Sequence, residues 1–194
     1  MDEKILKEII EFSKVAGKLK KVERTGWGMR VGIKNAESVA DHTFRTALMA
    51  MVIADMRNLD IEKINTEKIM RMALMHDLGE AIIGDWDALQ TKLEGKVEEK
   101  QKKEDEALRK ILAVLPKELE EKYAKIWKEL TEGETPESKL FKQVDRLELL
   151  LQSLEYEKEG YDKEKFAASW DAKRGVKDPD LLEIVKLLEE ERNK

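Results

Sequence analysis

The chain has only two histidines, His42 and His76, and each stands beside an aspartate, in Asp41-His42 and His76-Asp77. The second pair lies in "MRMALMHDLGEAIIGDW", residues 70–86, where an apolar run at helical spacing ends in four ionisable groups: His76, Asp77, Glu80 and Asp85. A helix that only packs has no need of these. Imidazole nitrogens and carboxylate oxygens bind divalent first-row metals well. A ligating His commonly donates from its second ring nitrogen to an acceptor, which fixes its tautomer.

Asp145 is a third candidate, beside Val144 and one turn from Phe141 on a helix with a strong apolar stripe. A carboxylate bordering a core is costly unless it is paired or holds a metal. A salt bridge to Arg71 or Arg146 is the ordinary alternative. Together the residues read H-x33-HD-x67-D, offering two nitrogens and two oxygens from three separate helices. The chain has no cysteine, so no thiolate site and no disulfide framework is possible. A hard-to-borderline ion suits the set: Mn²⁺, Co²⁺, Fe²⁺, Zn²⁺ or Mg²⁺. Asp41 is expected to serve its helix or to back His42.

The elements that must position these groups are all helical in pattern. Ile5, Ile9, Phe12, Ala16 and Leu19 share one face of a first helix. The loop "KVERTGWGMRVGIKNAES" follows. Residues 36–57 carry Val39, His42, Thr46, Met49 and Ile53 on one stripe, and residues 66–79 carry Ile69, Met72, Ala73 and His76. "GDWDALQTKLEG" is a loop or short helix. Residues 96–114 form a highly charged helix with Val97, Leu108, Ile111 and Leu112 inward, and Pro116 opens another through about 131. Thr135-Pro136-Glu137 reads as N-cap, first-turn proline and first-turn acid of a long helix to about 158, with Leu140, Phe141, Val144, Leu147, Leu151 and Leu154 as its stripe. Helices over 163–171 and from Asp178-Pro179 to about 192 close the chain. No alternating strand and no repeat is present. The expected fold is all-α: one domain over 1–194, a helical bundle with a metal-binding core at about 36–158 and C-terminal helices 163–192 packed on it.

Charged residues make up 41% of the sequence, but both signs contribute and the net charge is −5. That argues against a basic nucleic-acid face and against a disordered acidic chain. The N-terminus "MDEKILKEII" opens with acids rather than a signal peptide, and no apolar run approaches the ~18 residues of a membrane span. A cytoplasmic protein is expected, with no nucleic-acid polymer and no membrane as partner. Trp86, Trp127 and Trp170 are expected in packing or at a dimer face, and the 94–110 charge run on a solvated surface.

With "RTGWGMR", "ESVADHTFRTALMAMVIADM", "ALMHDLGEAIIGD" and "KQVDRLELLLQSLEYE", the H…HD…D pattern resembles the HD-domain superfamily of metal-dependent phosphohydrolases, in its 5′-deoxynucleotidase branch. The likeness runs from about residue 12 to the C-terminus. It implies that His42, His76, Asp77 and Asp145 bind one divalent metal and that Glu80, one turn past Asp77, is the catalytic acid/base beside Asp77. Otherwise Glu80 would read as a surface residue. The resemblance also places Asp85 at the substrate. The "ERTGWGMRVG" loop would supply the rest. Arginine has a planar fork suited to phosphate oxygens, and Trp27 a flat face for a sugar or base that could exclude a 2′-hydroxyl. Some family members carry Arg directly before this Trp. Here Gly26 holds that place, leaving Arg24 and Arg30 as phosphate candidates.

The resemblance implies a metal-dependent phosphomonoesterase acting on nucleoside 5′-monophosphates, 2′-deoxy ones in particular, and a homodimer. A triphosphate or cyclic-nucleotide hydrolase of the same superfamily is one rival. A His-rich dinuclear site is excluded, because there is no third histidine. A non-catalytic helical scaffold that keeps a metal for stability is the other.

Overall fold

A computed structural model describes residues 2–60 and 63–194, and among these the regular structure is helical apart from one isolated bridge between Glu23 and Ser38. The long helices are α1 (Glu3–Ala16), α2 (Val39–Asp60), α3 (Thr66–Met75), α6 (Val97–Leu112), α7 (Lys117–Glu132), α8 (Pro136–Lys158) and α10 (Pro179–Arg192). Short helices α4 (Glu80–Ile83), α5 (Ala88–Leu93) and α9 (Ala167–Trp170) complete the order. Helix α2 packs along α3 and α8, and α3 also touches α8, so these three form the centre. Ala47, Ala50 and Ala54 are buried on α2, and their small side chains let its neighbours approach closely. Ile69 and Met72 of α3 and Val144, Leu147 and Leu150 of α8 fill the space between. Burying each large aliphatic side chain contributes roughly 1.5–3 kcal/mol. Helix α10 lies on α8 through Leu181, Val185 and Leu188.

The caps follow the sequence. Thr135 Oγ1 accepts from Ser138 N at 3.3 Å with Pro136 in the first turn. Asp178 Oδ1 accepts from Asp180 N and Leu181 N, both at 3.1 Å. Asp41 proves to be a helix residue. Its Oδ2 accepts from Ser38 N (2.9 Å) and Ser38 Oγ (2.6 Å), while Asp41 N donates to Ser38 Oγ (3.2 Å), a reciprocal cap that anchors the start of α2. These bonds from Ser38 hold the Asp41 carboxyl below its ordinary pKa.

Several expectations need correction. Helix α2 starts at Val39 rather than 36, because 36–38 run back beside 22–24, with Arg24 N donating to Glu37 O and Val39 N to Val22 O. Helix α3 stops at Met75, and a turn over 76–79 restarts as α4. Glycine eases packing at that turn. A Cβ on Gly79 would lie 3.3 Å from Glu104 O, so its absence lets α6 come close. Ile9 and Val97 are exposed rather than inward, and Leu19 lies in a 3₁₀ turn (Gly17–Lys21) beyond α1. The 163–171 helix is a 3₁₀ turn (Lys163–Phe166), α9, and a second 3₁₀ turn (Asp171–Gly175). Among the described residues, no helix is long and apolar enough to cross a membrane.

Candidate metal centre and active site

Four side chains from three parts of the fold approach one another. His42 enters from the first turn of α2 and is fully buried, His76 caps the C-terminus of α3 with Asp77 following, and Asp145 comes from the middle of α8. His76 Nε2 lies 3.1 Å from His42 Nε2 and 3.0 Å from Asp77 Oδ2. His42 Nε2 lies 3.2 Å from Asp145 Oδ1 and 3.7 Å from Asp77 Oδ2. A fifth separation, His76 Nε2 to Asp145 Oδ1, is 3.8 Å. Ligands held about 2.1 Å from a shared ion stand roughly 3.0 Å apart at octahedral corners and about 3.4 Å apart at tetrahedral ones. The observed separations bracket those values.

The protons tell the same story. His42 Nδ1 faces Glu148 Oε2 at 2.5 Å and His76 Nδ1 faces Ala73 O at 2.7 Å. An ionised carboxylate and a carbonyl can only accept, so both Nδ1 atoms donate and a neutral imidazole then presents a lone pair at Nε2. Two lone pairs 3.1 Å apart, with two carboxylate oxygens beside them, require a cation among them. Without an ion a proton takes that place. Burial and Arg24 push the His42 imidazole down, yet its bonds to Asp145 and Glu148 outweigh them and its pKa is pushed up to about 10. Burial works against charge on Asp77 and Asp145, but the adjacent imidazoles hold both carboxyls below the usual range. His42, His76 and Asp77 therefore form a group that could hold a divalent metal, and Asp145 stands against both imidazoles at its edge. Neither salt bridge considered for Asp145 forms: Arg71 turns to Glu67 (2.6 Å), and Arg146 Nη1 donates to Lys142 O. A second acidic group, Glu37 and Glu148, meets the other side of the His42 ring. It is already occupied, because Glu37 Oε1 accepts from Trp27 Nε1 (2.9 Å) and Glu148 Oε1 pairs with Arg45 (2.7 Å).

A cavity of about 290 Å³ opens beside His76, Asp77 and Asp145. Glu80 lines it from the first residue of α4 with only 1% exposure. Its Oε1 is 3.8 Å from Lys100 Nζ, while Oε2 is buried with no partner. Burial, with Asp77 and Asp85 nearby, pushes the Glu80 carboxyl up to about 11, so it carries a proton at neutral pH.

The two arginines now separate. Arg24 Nη1 reaches Asp77 Oδ2 at 3.3 Å. Burial opposes its charge, but Asp77, Asp85, Asp145 and Glu80 hold its guanidinium pKa above the ordinary value. Arg30 is paired with Asp87 across the cavity. A Cβ on Gly26 would overlap the Asp87 carboxylate and the Arg30 guanidinium, which explains a glycine immediately before Trp27.

Two expectations for the substrate side shift. Asp85 lines the cavity, but its Oδ2 accepts from Thr25 N (2.6 Å) and Thr25 Oγ1 (2.7 Å), tying the 22–27 and 84–87 segments together. Trp27 borders the same cavity but offers no open face. It is 1% exposed and packs edge-on to Tyr156 at 5.4 Å and tilted to Phe166 at 6.0 Å.

Sequence reasoning passed over Lys100 and Glu148, and expected Trp86 in packing or at a dimer face rather than beside the cavity. Glu104 and Lys100 extend the buried row of Ala107, Leu108 and Ile111 by one and two turns, so the inner end of that row is charged. Trp86 lines the cavity under the Lys103 ammonium, 4.3 Å from the ring centroid. Glu148 interrupts the apolar stripe of α8 one turn after Asp145, and that break was the available signal. Trp127 and Trp170 do pack, donating to Asp105 and Glu157.

Comparison with known proteins shows the family. The profile of the HD domain family matches residues 16–184. The human protein named 5′-deoxynucleotidase HDDC2 is 34% identical over 188 residues, covering 96% of this chain and 87% of the human one. The protein of that name from Dictyostelium discoideum is 37% identical over 172 residues, covering 86% and 88%. A conserved hypothetical protein from Pyrococcus furiosus superposes with a TM-score of 0.76 at 32% identity, over 93% of this chain and 99% of its own. The PH0347 protein from Pyrococcus horikoshii gives 0.76 at 28% identity, over 92% and 97%. The chain belongs to the HD domain family.

Proposed function

We propose that this chain is a divalent-metal-dependent 5′-deoxynucleotidase of the cytoplasm that hydrolyses 2′-deoxynucleoside 5′-monophosphates to nucleoside and phosphate. The observation that carries the reading is the meeting of two imidazole nitrogens and two carboxylate oxygens beside a buried, neutral Glu80 and a half-buried Arg24 in one cavity. The substrate class rests on the name borne by the human and Dictyostelium relatives.

His42 Nε2, His76 Nε2, Asp77 Oδ2 and Asp145 Oδ1 would hold one ion, Mn²⁺, Co²⁺, Fe²⁺, Zn²⁺ or Mg²⁺. That ion supplies Lewis-acid neutralisation of phosphoryl charge and lowers the pKa of water. Arg24, free of the Arg30–Asp87 pairing, lies where its fork meets the phosphoryl oxygens and offsets charge in the transition state. A water oxygen bonds to phosphorus as the bond from phosphorus to the 5′-oxygen breaks. The 5′-oxygen keeps the electron pair and takes the proton of the Glu80 carboxyl. The proton lost by the attacking water later restores Glu80. Asp85 acts by holding Thr25 and so the Arg24 loop, and Trp27 by walling the cavity.

We place a homodimer contact on α2, where Phe44, Leu48, Val52 and Met56 recur every fourth residue and stay exposed. A row at that spacing packs into its own copy across a two-fold axis. Sedimentation as a monomer at micromolar concentration would contradict it.

The function is tested by phosphate release from dAMP, dGMP, dCMP, dTMP, dUMP and their ribo counterparts with each metal. Release from the deoxy set, lost with chelator and in Glu80→Ala, is expected. Release only from triphosphates or cyclic nucleotides would overturn the reading.

A further inference from the structure

Lys100 lies in a segment that reads as solvated surface, "KVEEKQKKEDEALRK", yet it reaches the cavity 20 residues downstream of Glu80. Three contacts converge on its ammonium: Glu80 Oε1 at 3.8 Å, Glu104 Oε1 at 3.3 Å, and the carbonyl of Trp86, to which it donates at 3.2 Å. The geometry of the chain makes this meeting specific. Lys100 and Glu104 lie one turn apart on the inner row of α6, and the turn before Glu80 is drawn onto that row because Gly79 has no Cβ to strike Glu104 O. Burial opposes charge on the lysine, but the carboxylate of Glu104 above all, with those of Asp77 and Asp85, keeps its ammonium protonated. The result is asymmetric for Glu80, one carboxyl oxygen facing a cation and the other, Oε2, buried without a partner.

We propose that Lys100 is the positioning residue for Glu80: it stands against Oε1 and, through the Trp86 carbonyl, holds the segment that borders the cavity, so that the carboxyl is fixed in one orientation beside the site. This rests on the acid/base role given to Glu80 above. A flexible glutamate must lose rotamer freedom before it can transfer a proton, and a displacement of about 1 Å at a reacting group can cost about 100-fold in rate. The Lys100 contact restricts that freedom in advance. It also couples the acid to the loop, since one ammonium bridges α4 and the residues just before α5.

The test uses Lys100→Met and Lys100→Arg in the full-length, metal-loaded protein, with Glu80→Gln and the Glu80→Gln/Lys100→Met double variant. Lys100→Met is expected to lower kcat on dAMP about 10- to 100-fold, with KM within about threefold of wild type and Mn²⁺ affinity unchanged. Lys100→Arg should restore most of the loss, because a guanidinium can span the same carboxylate and carbonyl. In the Glu80→Gln background the Met change should add nothing, since its effect passes through Glu80. A rise in KM with kcat intact would make Lys100 a phosphate ligand and overturn the proposal, as would a full further loss in the double variant. Full activity in Glu80→Gln would sink the role of Glu80 itself. Full activity in Lys100→Met beside an inactive Glu80→Gln would sink only the role of Lys100. A crystal structure of Lys100→Met gives a readout independent of turnover: the Glu80 carboxyl should leave its single position, and an unmoved Glu80 would contradict the proposal.

Discussion

Removing the Glu148 carboxylate should weaken metal binding from a position that never touches the metal. Its Oε2 receives the His42 Nδ1 proton at 2.5 Å, its Oε1 pairs with Arg45 at 2.7 Å, and it is fully buried. Burial works against its charge, but His42 and Arg45 hold its carboxyl below the ordinary range, so it is ionised at neutral pH. Glu148→Ala leaves the His42 ring free to rotate and to take the other tautomer, with a proton on the nitrogen that should carry the lone pair. Outer partners of this kind are worth about 10- to 100-fold in metal affinity, or about 1.4–2.7 kcal/mol. A fold cost comes with it. Breaking a buried ion pair costs about 3–5 kcal/mol, here at the lower end, because Arg45 keeps Glu155 at 2.6 Å and Gln152 at 2.5 Å. About 3 kcal/mol would lower the Tm by roughly 6–12 °C in a chain of this size. Glu148→Gln keeps an acceptor for Nδ1 and should fall between the two. The assay is calorimetric titration of Mn²⁺ into chelator-stripped protein at 20 °C, beside thermal melts of each variant. A Glu148→Ala protein with lowered Tm but wild-type Mn²⁺ affinity would refute the reasoning, since the residue would then serve packing alone.

Two more outcomes follow from the same geometry. Arg24→Ala should lower kcat/KM by about 100-fold or more, as loss of a preorganised charge-stabilising donor does, whereas Arg30→Ala should act mainly through the Asp87 loop and cost less; equal losses in steady-state assays would show that Arg30 also meets the phosphate. Glu37 gives a pH signature: burial and the Glu148 charge push its carboxyl from 4.5 up to about 7. Because the folded state then binds the proton more tightly than the unfolded one, stability drains away as pH rises from about 4.5 through 7. Glu37→Gln, which still accepts from Trp27, should match wild type near pH 5 and exceed it above pH 7 by on the order of 3 kcal/mol. Urea denaturation of the metal-stripped proteins at pH 5 and pH 8 checks this, and an equal difference at both would contradict it.

The helices were legible because their apolar residues recur at 3.6 spacing and their caps are written in Thr135-Pro136 and Asp178-Pro179. The meeting of His42, His76, Asp77 and Asp145 was legible for a different reason. With two histidines and no cysteine, few combinations exist, and each His sits on an inward stripe. What stayed hidden depends on long-range approach. Nothing local says that Asp85 turns to Thr25 sixty residues back, or that Arg30 and not Arg24 is taken up by Asp87. The charge run over 94–110 misled because a lysine at one end of an apolar row looks like any other surface lysine until α4 is drawn against it. The first helix misled in the opposite sense, since Ile9 follows the apolar period yet meets solvent.

Diffraction at a metal absorption edge tests the central claim most directly. Crystals grown in the presence of Mn²⁺ should show one anomalous peak about 2.1–2.2 Å from His42 Nε2, His76 Nε2, Asp77 Oδ2 and Asp145 Oδ1 together. A peak among Glu37, His42 Nδ1 and Glu148 instead, or none at saturating Mn²⁺, would contradict the account.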